Sequence, residues 1–254
     1  VTLSKDSYAT DLIISAGCIV PLGAGPTSSV TSDATFTNNG TITIASGTWT
    51  VQGQNSNDQS SNMTNNGTIT HSGTGWLSTG GLVMGASGTV TYASGSTMSF
   101  GRNFDVSVGT FPSGKTVTFT DINSASDTTM TCGSVTFAQV IVTKDQTPGG
   151  DMIISSDCTV PLGASPTSAF RGTSTNNGTI TIASGTWTEG AGGTGANITN
   201  NGTITHSGTG WVSNGGLVMG SSGVVTYAGT TASFGNNLDV SVGTFPSGLT
   251  MTFN

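Results

Sequence analysis

The chain has 254 residues, 39 of them Gly, with 12 acidic and 5 basic side chains and a net charge of −7. With Glu189 the single glutamate and Lys, Arg and Leu scarce, good helix formers are missing. Thr, Val and Ile favour strands and Gly, Asn and Asp favour turns. Five scattered basic residues make no patch able to neutralise a phosphate backbone, and no apolar run reaches 18 residues, so neither a nucleic-acid partner nor a membrane span is expected.

The chain opens at Val1, without Met, as a mature or trimmed product would, and Val1 to Asp6 matches Val140 to Asp145, so it opens in mid-repeat. Next comes Asp11-Leu12-Ile13-Ile14-Ser15, which returns as Asp151-Met152-Ile153-Ile154-Ser155. The run Thr37 to Thr50, TNNGTITIASGTWT, returns unchanged at Thr175 to Thr188, an offset of 138. TNNGTITHSGTGW at Thr64 returns at Thr199, and DVSVGTFPSG at Asp105 returns at Asp239. A unit of about 140 residues is therefore duplicated. Its copies occupy 1–150 and 151–254, the second ending in mid-repeat because Phe245 to Phe253 matches Phe111 to Phe119.

Within the first unit an alternating motif recurs at Thr41-Ile42-Thr43-Ile44, Thr68-Ile69-Thr70-His71, Thr89-Val90-Thr91-Tyr92, Thr116-Val117-Thr118-Phe119 and Ser134-Val135-Thr136-Phe137. The spacings are 27, 21, 27 and 18. In the second unit it starts at Thr179, Thr203, Val224 and Thr250. Strict alternation marks a strand with one buried face, and its return at coil length without a helical pattern predicts an all-β, right-handed parallel β-helix, a β-solenoid of about ten coils. Coils stack at about 4.8 Å, giving a length of about 50 Å. The inward ladder is expected to hold Ile42, Ile69, Val90 and Val117 beside Ile44, His71, Tyr92 and Phe119. A turn ladder is expected at Asn38, Asn65, Asn176 and Asn200, each opening an Asn-Asn-Gly corner whose residues tolerate left-handed backbone angles and whose amides can bond along the stack.

These NNGTIT-like and SGTW-like runs resemble the right-handed parallel β-helix repeats of secreted microbial surface proteins, such as adhesins and autotransporter passenger domains. The resemblance covers nearly the whole chain. It implies an elongated extracellular or cell-surface scaffold and carries no catalytic residue across.

Individual residues fit that expectation. His71 and His206 are one position in two units, in the slot that Ile44 and Ile182 fill one coil earlier, and read as core histidines. The acids recur singly at strand starts (Asp11 and Asp151, Asp105 and Asp239) and read as turn caps; a polysaccharide-active enzyme would need them clustered. Asp121, Asp127, Asp145 and Asp151 are candidates to hold a cation weakly. Trp49, Trp76, Trp187 and Trp211 follow the S-G-T and G-T-G turns, where they either pack the core or stack on sugar rings as part of a glycan-binding module. The Thr-x-Thr positions face outward, as in an ice-binding solenoid, although the uneven coil lengths count against that use. Sequons stand at Asn39, Asn62, Asn66, Asn177, Asn197 and Asn201.

Cys132 and Cys158 lie 26 residues apart, one coil, and are expected to form a disulfide. Cys18 is the repeat equivalent of Cys158, and its partner would lie before Val1, in another unit or subunit. The expected function is a structural segment of an extracellular fibre, sheath or adhesin stalk. It would assemble end to end with copies of itself, meet surface glycans at most, and use no cofactor or metal. Glycan binding and ice binding are the alternatives.

Overall fold

The computed structural model describes residues 3–5, 11–25, 27–31, 35–54, 62–93, 95, 97–120, 127–143, 151–168, 170, 173–190 and 197–254. Among them are strands and turns and no helix. The strands stack in parallel as a β-solenoid of about nine turns, close to the ten coils expected.

Each full turn visits three sheets. The first is continuous, with eleven strands from Leu12–Ile14 to Leu238–Asp239. The middle sheet is in two pieces of four strands, one running from Ile19–Ala24 to Thr89–Tyr92 and the other from Thr159–Ala164 to Val224–Tyr227. The third is in pieces of seven and five strands, the first ending at Phe137–Thr143 and the second at Thr250–Phe253. The first sheet outnumbers the full turns because three rungs lack a regular middle strand.

Period-two alternation decides which way each side chain points. In Thr41–Ser46 and Thr68–His71 the Ile and His positions are buried while the Thr positions stay half-exposed. Ile42 and Ile69 lie in register in the first piece of the middle sheet and Ile180 and Ile204 in the second; all four are fully enclosed, each worth about 1.5–3 kcal/mol of burial. Because successive rungs hydrogen-bond backbone to backbone, the same residue type recurs along a column, and the sequence repeat becomes a spatial one.

The expected inward ladder holds for Ile42, Ile69 and Val90, but Val117 belongs elsewhere. Thr116-Val117-Thr118-Phe119 lies in the third sheet, where Val117 and Phe119 pair with Met98 and Phe100 on one side and Val140 and Val142 on the other. The reason is the DVSVGTFPSG segment. It crosses the middle sheet with a single bridge, Thr89 to Thr110, before Pro112, which has no backbone N–H to give a ladder. The strand therefore arrives one face late. The second unit does the same, with a Val224 to Thr244 bridge and Thr250–Phe253 pairing with Thr231–Phe234. The fifth motif copy is also displaced: its strand starts at Phe137 and runs to Thr143 in the third sheet.

The Asn-Asn-Gly corners need Gly for a different reason from the one expected. None of Gly40, Gly67, Gly178 and Gly202 has positive φ. A Cβ on Gly67 would lie 2.1 Å from the Gly40 carbonyl oxygen of the rung below, so closeness of rungs excludes a side chain. Left-handed glycines occur at the next corner instead, at Gly47 and Gly185 in the S-G-T turns, with φ of +73° and +74°.

Candidate functional site

At the first corner of the solenoid, Asn38 and Asn65 are fully buried at the ends of strands Phe36–Asn38 and Met63–Asn65. Asn38 Nδ2 donates to Asn65 Oδ1 over 2.7 Å, while Asn38 Oδ1 accepts from the Gly40 N–H at 3.2 Å. Asn176 and Asn200 repeat this geometry, with the same 2.7 Å between amides. Each ladder is two amides long. Ile14 and Ile154 occupy the rung before, and Met84 and Met219 the rung after, their sulfurs 3.7 and 3.8 Å from the last amide nitrogens.

A second, half-buried amide pair runs beside it. Asn66 Nδ2 donates to Asn39 Oδ1 at 2.9 Å and Asn201 Nδ2 to Asn177 Oδ1 at 3.0 Å. These four are sequon asparagines, and their stacking is the one expected of the Asn-Asn-Gly corners. The other two, Asn62 and Asn197, turn their Oδ1 atoms into buried positions against Gly81 and Gly216.

Across the interior, aromatic rings form a column in each unit. Trp49 stacks on Trp76 with centroids 4.8 Å apart, and Trp187 on Trp211 at 4.9 Å. All four rings are buried, so they pack the core and present no face to a sugar. His71 and Tyr92 lie 4.5 Å apart, and His206 and Tyr227 4.8 Å. Burial lowers the pKa of both histidines, so the rings are held neutral. His206 Nδ1 accepts from the Gly208 N–H at 2.9 Å and its Nε2 faces the Gly210 carbonyl at 2.9 Å, which assigns the proton to Nε2. His71 Nδ1 accepts from Gly73, but its Nε2 has no partner at bonding distance. Tyr92 donates to the Thr97 carbonyl, and burial raises its pKa above the usual value. Lys115 lies over the Tyr92 ring and donates to the Tyr92 and Ala93 carbonyls at 3.1 and 3.0 Å.

The acids act mainly as backbone caps. Asp11 accepts from the Thr35 N–H, Asp127 from Asp151, and Asp151 from Thr173, a relay that steps from rung to rung along one corner. Asp105 and Asp239 cap the N–H groups of Ser107 and Ser241. The bonds to Thr35 and Ser241 hold Asp11 and Asp239 below the ordinary carboxylate range. Asp157 accepts from the Cys132 and Gly133 N–H groups beside the disulfide. Of the four candidate cation ligands, Asp121 and Asp145 lie outside the described residues. Among the described residues no three His, Cys, Asp or Glu side chains converge as a metal site. A small cavity at the unit junction is lined by Gly101, Phe119, Thr120, Thr128, Val142 and Met152.

Neither family models, curated proteins nor solved structures offer a match to this chain.

Cys132 and Cys158 form the expected disulfide, joining consecutive turns across the unit junction, and this points to an oxidising compartment. Cys18 is a free, exposed thiol. No helix among the described residues is long and apolar enough to cross a membrane. On the outer side of the middle sheet, Thr41, Thr68 and Thr89 stand in one column and Thr43, Thr70 and Thr91 in the next. Thr179 and Thr203, with Thr181, Thr205 and Thr226, repeat the arrangement in the second unit.

Glu189, the single glutamate, was not singled out as a site from sequence. It is 1 % exposed, where the first unit carries Val51. The signal available was the repeat mismatch TWTV against TWTE.

Proposed function

We propose that the chain is a structural segment of an extracellular or cell-surface assembly, a fibre, sheath or adhesin stalk, that extends by stacking end to end. The observation that carries this reading is the unit junction. The second unit docks on the first through the same parallel pairing used inside each unit, Thr128 to Met152, Thr129 to Ile153 and Met130 to Ile154. The disulfide clips that junction. A contact that adds a unit without altering the rung geometry can add another, and a head-to-tail contact that does not close on itself propagates. Cys18 stands where Cys158 stands in the second unit, so a unit placed before it would bring a cysteine equivalent to Cys132 alongside.

Electron microscopy and sedimentation of the full chain, with and without reductant, test this. Thin, unbranched particles that lengthen with concentration are expected; a monodisperse monomer at high concentration overturns the reading.

An ice-binding module is the second reading, favoured by the in-register Thr columns of the middle sheet. It requires thermal hysteresis that is lost when Thr70 and Thr205 are replaced by Lys. The glycan-binding alternative loses its aromatic anchor because all four Trp rings are buried.

A further inference from the structure

In the third sheet of the second unit, Ser168, Glu189 and Ser213 occupy successive rungs of one inward column. All three are buried, Glu189 beside the stacked Trp187 and Trp211. Glu189 Oε2 accepts a hydrogen bond from the Ser213 hydroxyl. Its Oε1 has no partner, and neither does the buried Nε1 of Trp211.

The stacking geometry relates these two orphans. Trp187 reaches one rung back along the column and donates its indole N–H to Ser168 Oγ at 2.7 Å. Moved forward by one rung, the same relation aims the Trp211 N–H at Glu189. In the first unit the equivalent column has Val51, and the equivalent Trp76 N–H is likewise without a partner. The second unit has therefore acquired, at one rung, an acceptor that the indole can use and a carboxyl that the core must keep dry.

We infer that Glu189 is a proton-operated latch in the wall of the second unit. Protonated on Oε2, the carboxyl donates to the Ser213 hydroxyl oxygen and offers Oε1 to the Trp211 N–H as a neutral hydrogen-bonding group; ionised, it loosens the rung from Thr186 to Gly190 and its neighbour Gly210–Ser213. An ionised carboxylate in a dry stack with one hydroxyl donor is costly, whereas a carboxylic acid there is not.

The surroundings carry no compensating charge among the described residues. The flanking strands contribute Thr167, Ser168, Gly210, Val212 and Ser213. The titratable neighbours are His206, whose ring lies 6.2 Å from both Trp187 and Trp211 and is held neutral by burial, and Tyr227, whose ring lies 6.1 Å from Trp211 and whose hydroxyl pKa is raised by burial. Arg171 lies outside the described residues. Burial accordingly pushes the Glu189 carboxyl up to about 7, with the Ser213 bond pulling weakly the other way. The folded carboxyl holds its proton more tightly than it would in an unfolded chain. The latch's contribution is thus present at low pH and disappears as pH rises through about 7. The latch operates whether or not the chain builds a fibre.

The single glutamate makes the test direct. In the full chain labelled with carboxyl-13C glutamate, one resonance is expected to titrate with a midpoint near 7; a midpoint in the ordinary carboxylate range overturns the inference. Amide exchange at residues 186–190 and 210–213 is then compared among the native chain, Glu189→Gln and Glu189→Val. The Gln variant keeps the shape, and Val is the residue the first unit uses. At about pH 4, below the ordinary carboxyl value, native and Gln chains should exchange alike; at about pH 8.5 the native chain should exchange roughly tenfold faster or more, with Thr48–Val51 unaffected. An equal ratio at both pH values, or the native pH profile persisting in either variant, overturns it.

Discussion

Asn38 and Asn65 share one hydrogen bond of 2.7 Å through the dry corner of the solenoid, 27 residues apart in the chain and one rung apart in space. Each amide also bonds to its own or the next corner's backbone, so the pair ties two turns together at the point where the chain changes face. Replacing Asn65 by Ala removes the acceptor and leaves one of the two Asn38 Nδ2 hydrogens unpaired in the core, the other still reaching the Thr68 carbonyl. A loss of about 1–3 kcal/mol is expected in denaturant unfolding, with Asn200→Ala costing a similar amount. Asn39→Ala, at the half-buried pair beside it, should cost visibly less; equal losses would contradict the burial assignment.

The inside and outside of the middle sheet differ by one residue of register. Ile69→Asp places a charge in a fully enclosed column and should exceed about 4 kcal/mol or abolish the fold, whereas Thr70→Lys on the outer face should stay within about 0.5 kcal/mol. Thermal melts of the two variants check this.

Reduction of the Cys132–Cys158 bridge releases a loop of 26 residues, and loop-closure entropy predicts a loss of about 3–4 kcal/mol. In the native, unreduced chain a thiol reagent should modify Cys18 alone, as mass mapping would show.

The two buried histidines make the acid limb of stability. Their folded pKa values lie below the unfolded one, so the unfolded chain takes up protons first. The histidine contribution should be complete above about pH 6.5 and fall as pH drops below it. Replacing both by Ile, the residue of the preceding rung, should flatten that limb in a series of melts between about pH 4 and pH 7.

The Asn-Asn-Gly corners show why part of the fold and its corner ladders were legible. Coil stacking places equivalent residues one above another, so a repeat in the chain is a column in space, and the buried amide pairs follow from the positions of Asn38, Asn65, Asn176 and Asn200. The backbone reason for glycine was not legible, because the lack of room for a Cβ on Gly67, which would lie 2.1 Å from the Gly40 oxygen, is a property of two rungs, not of one turn. Val117 was misplaced for a similar reason: its local pattern matches Ile42, but the number of residues consumed by the Thr110 bridge and the Phe111-Pro112 turn sets the face on which it lands.

By itself the sequence determined the class of fold, the duplication, the inward and outward sides of most strands, and the pairing of Cys132 with Cys158. Alternation and repeat spacing are local quantities, and parallel stacking carries them unchanged into three dimensions. Tertiary structure decided what depends on neighbours in adjacent rungs. It buried the four tryptophans, committed the Asp carboxylates to backbone caps, and left Glu189 Oε1 and Trp211 Nε1 without partners in the core. A carboxyl's environment is set by side chains more than twenty residues away, Ser168 and Ser213, and these become its neighbours only when the rungs stack.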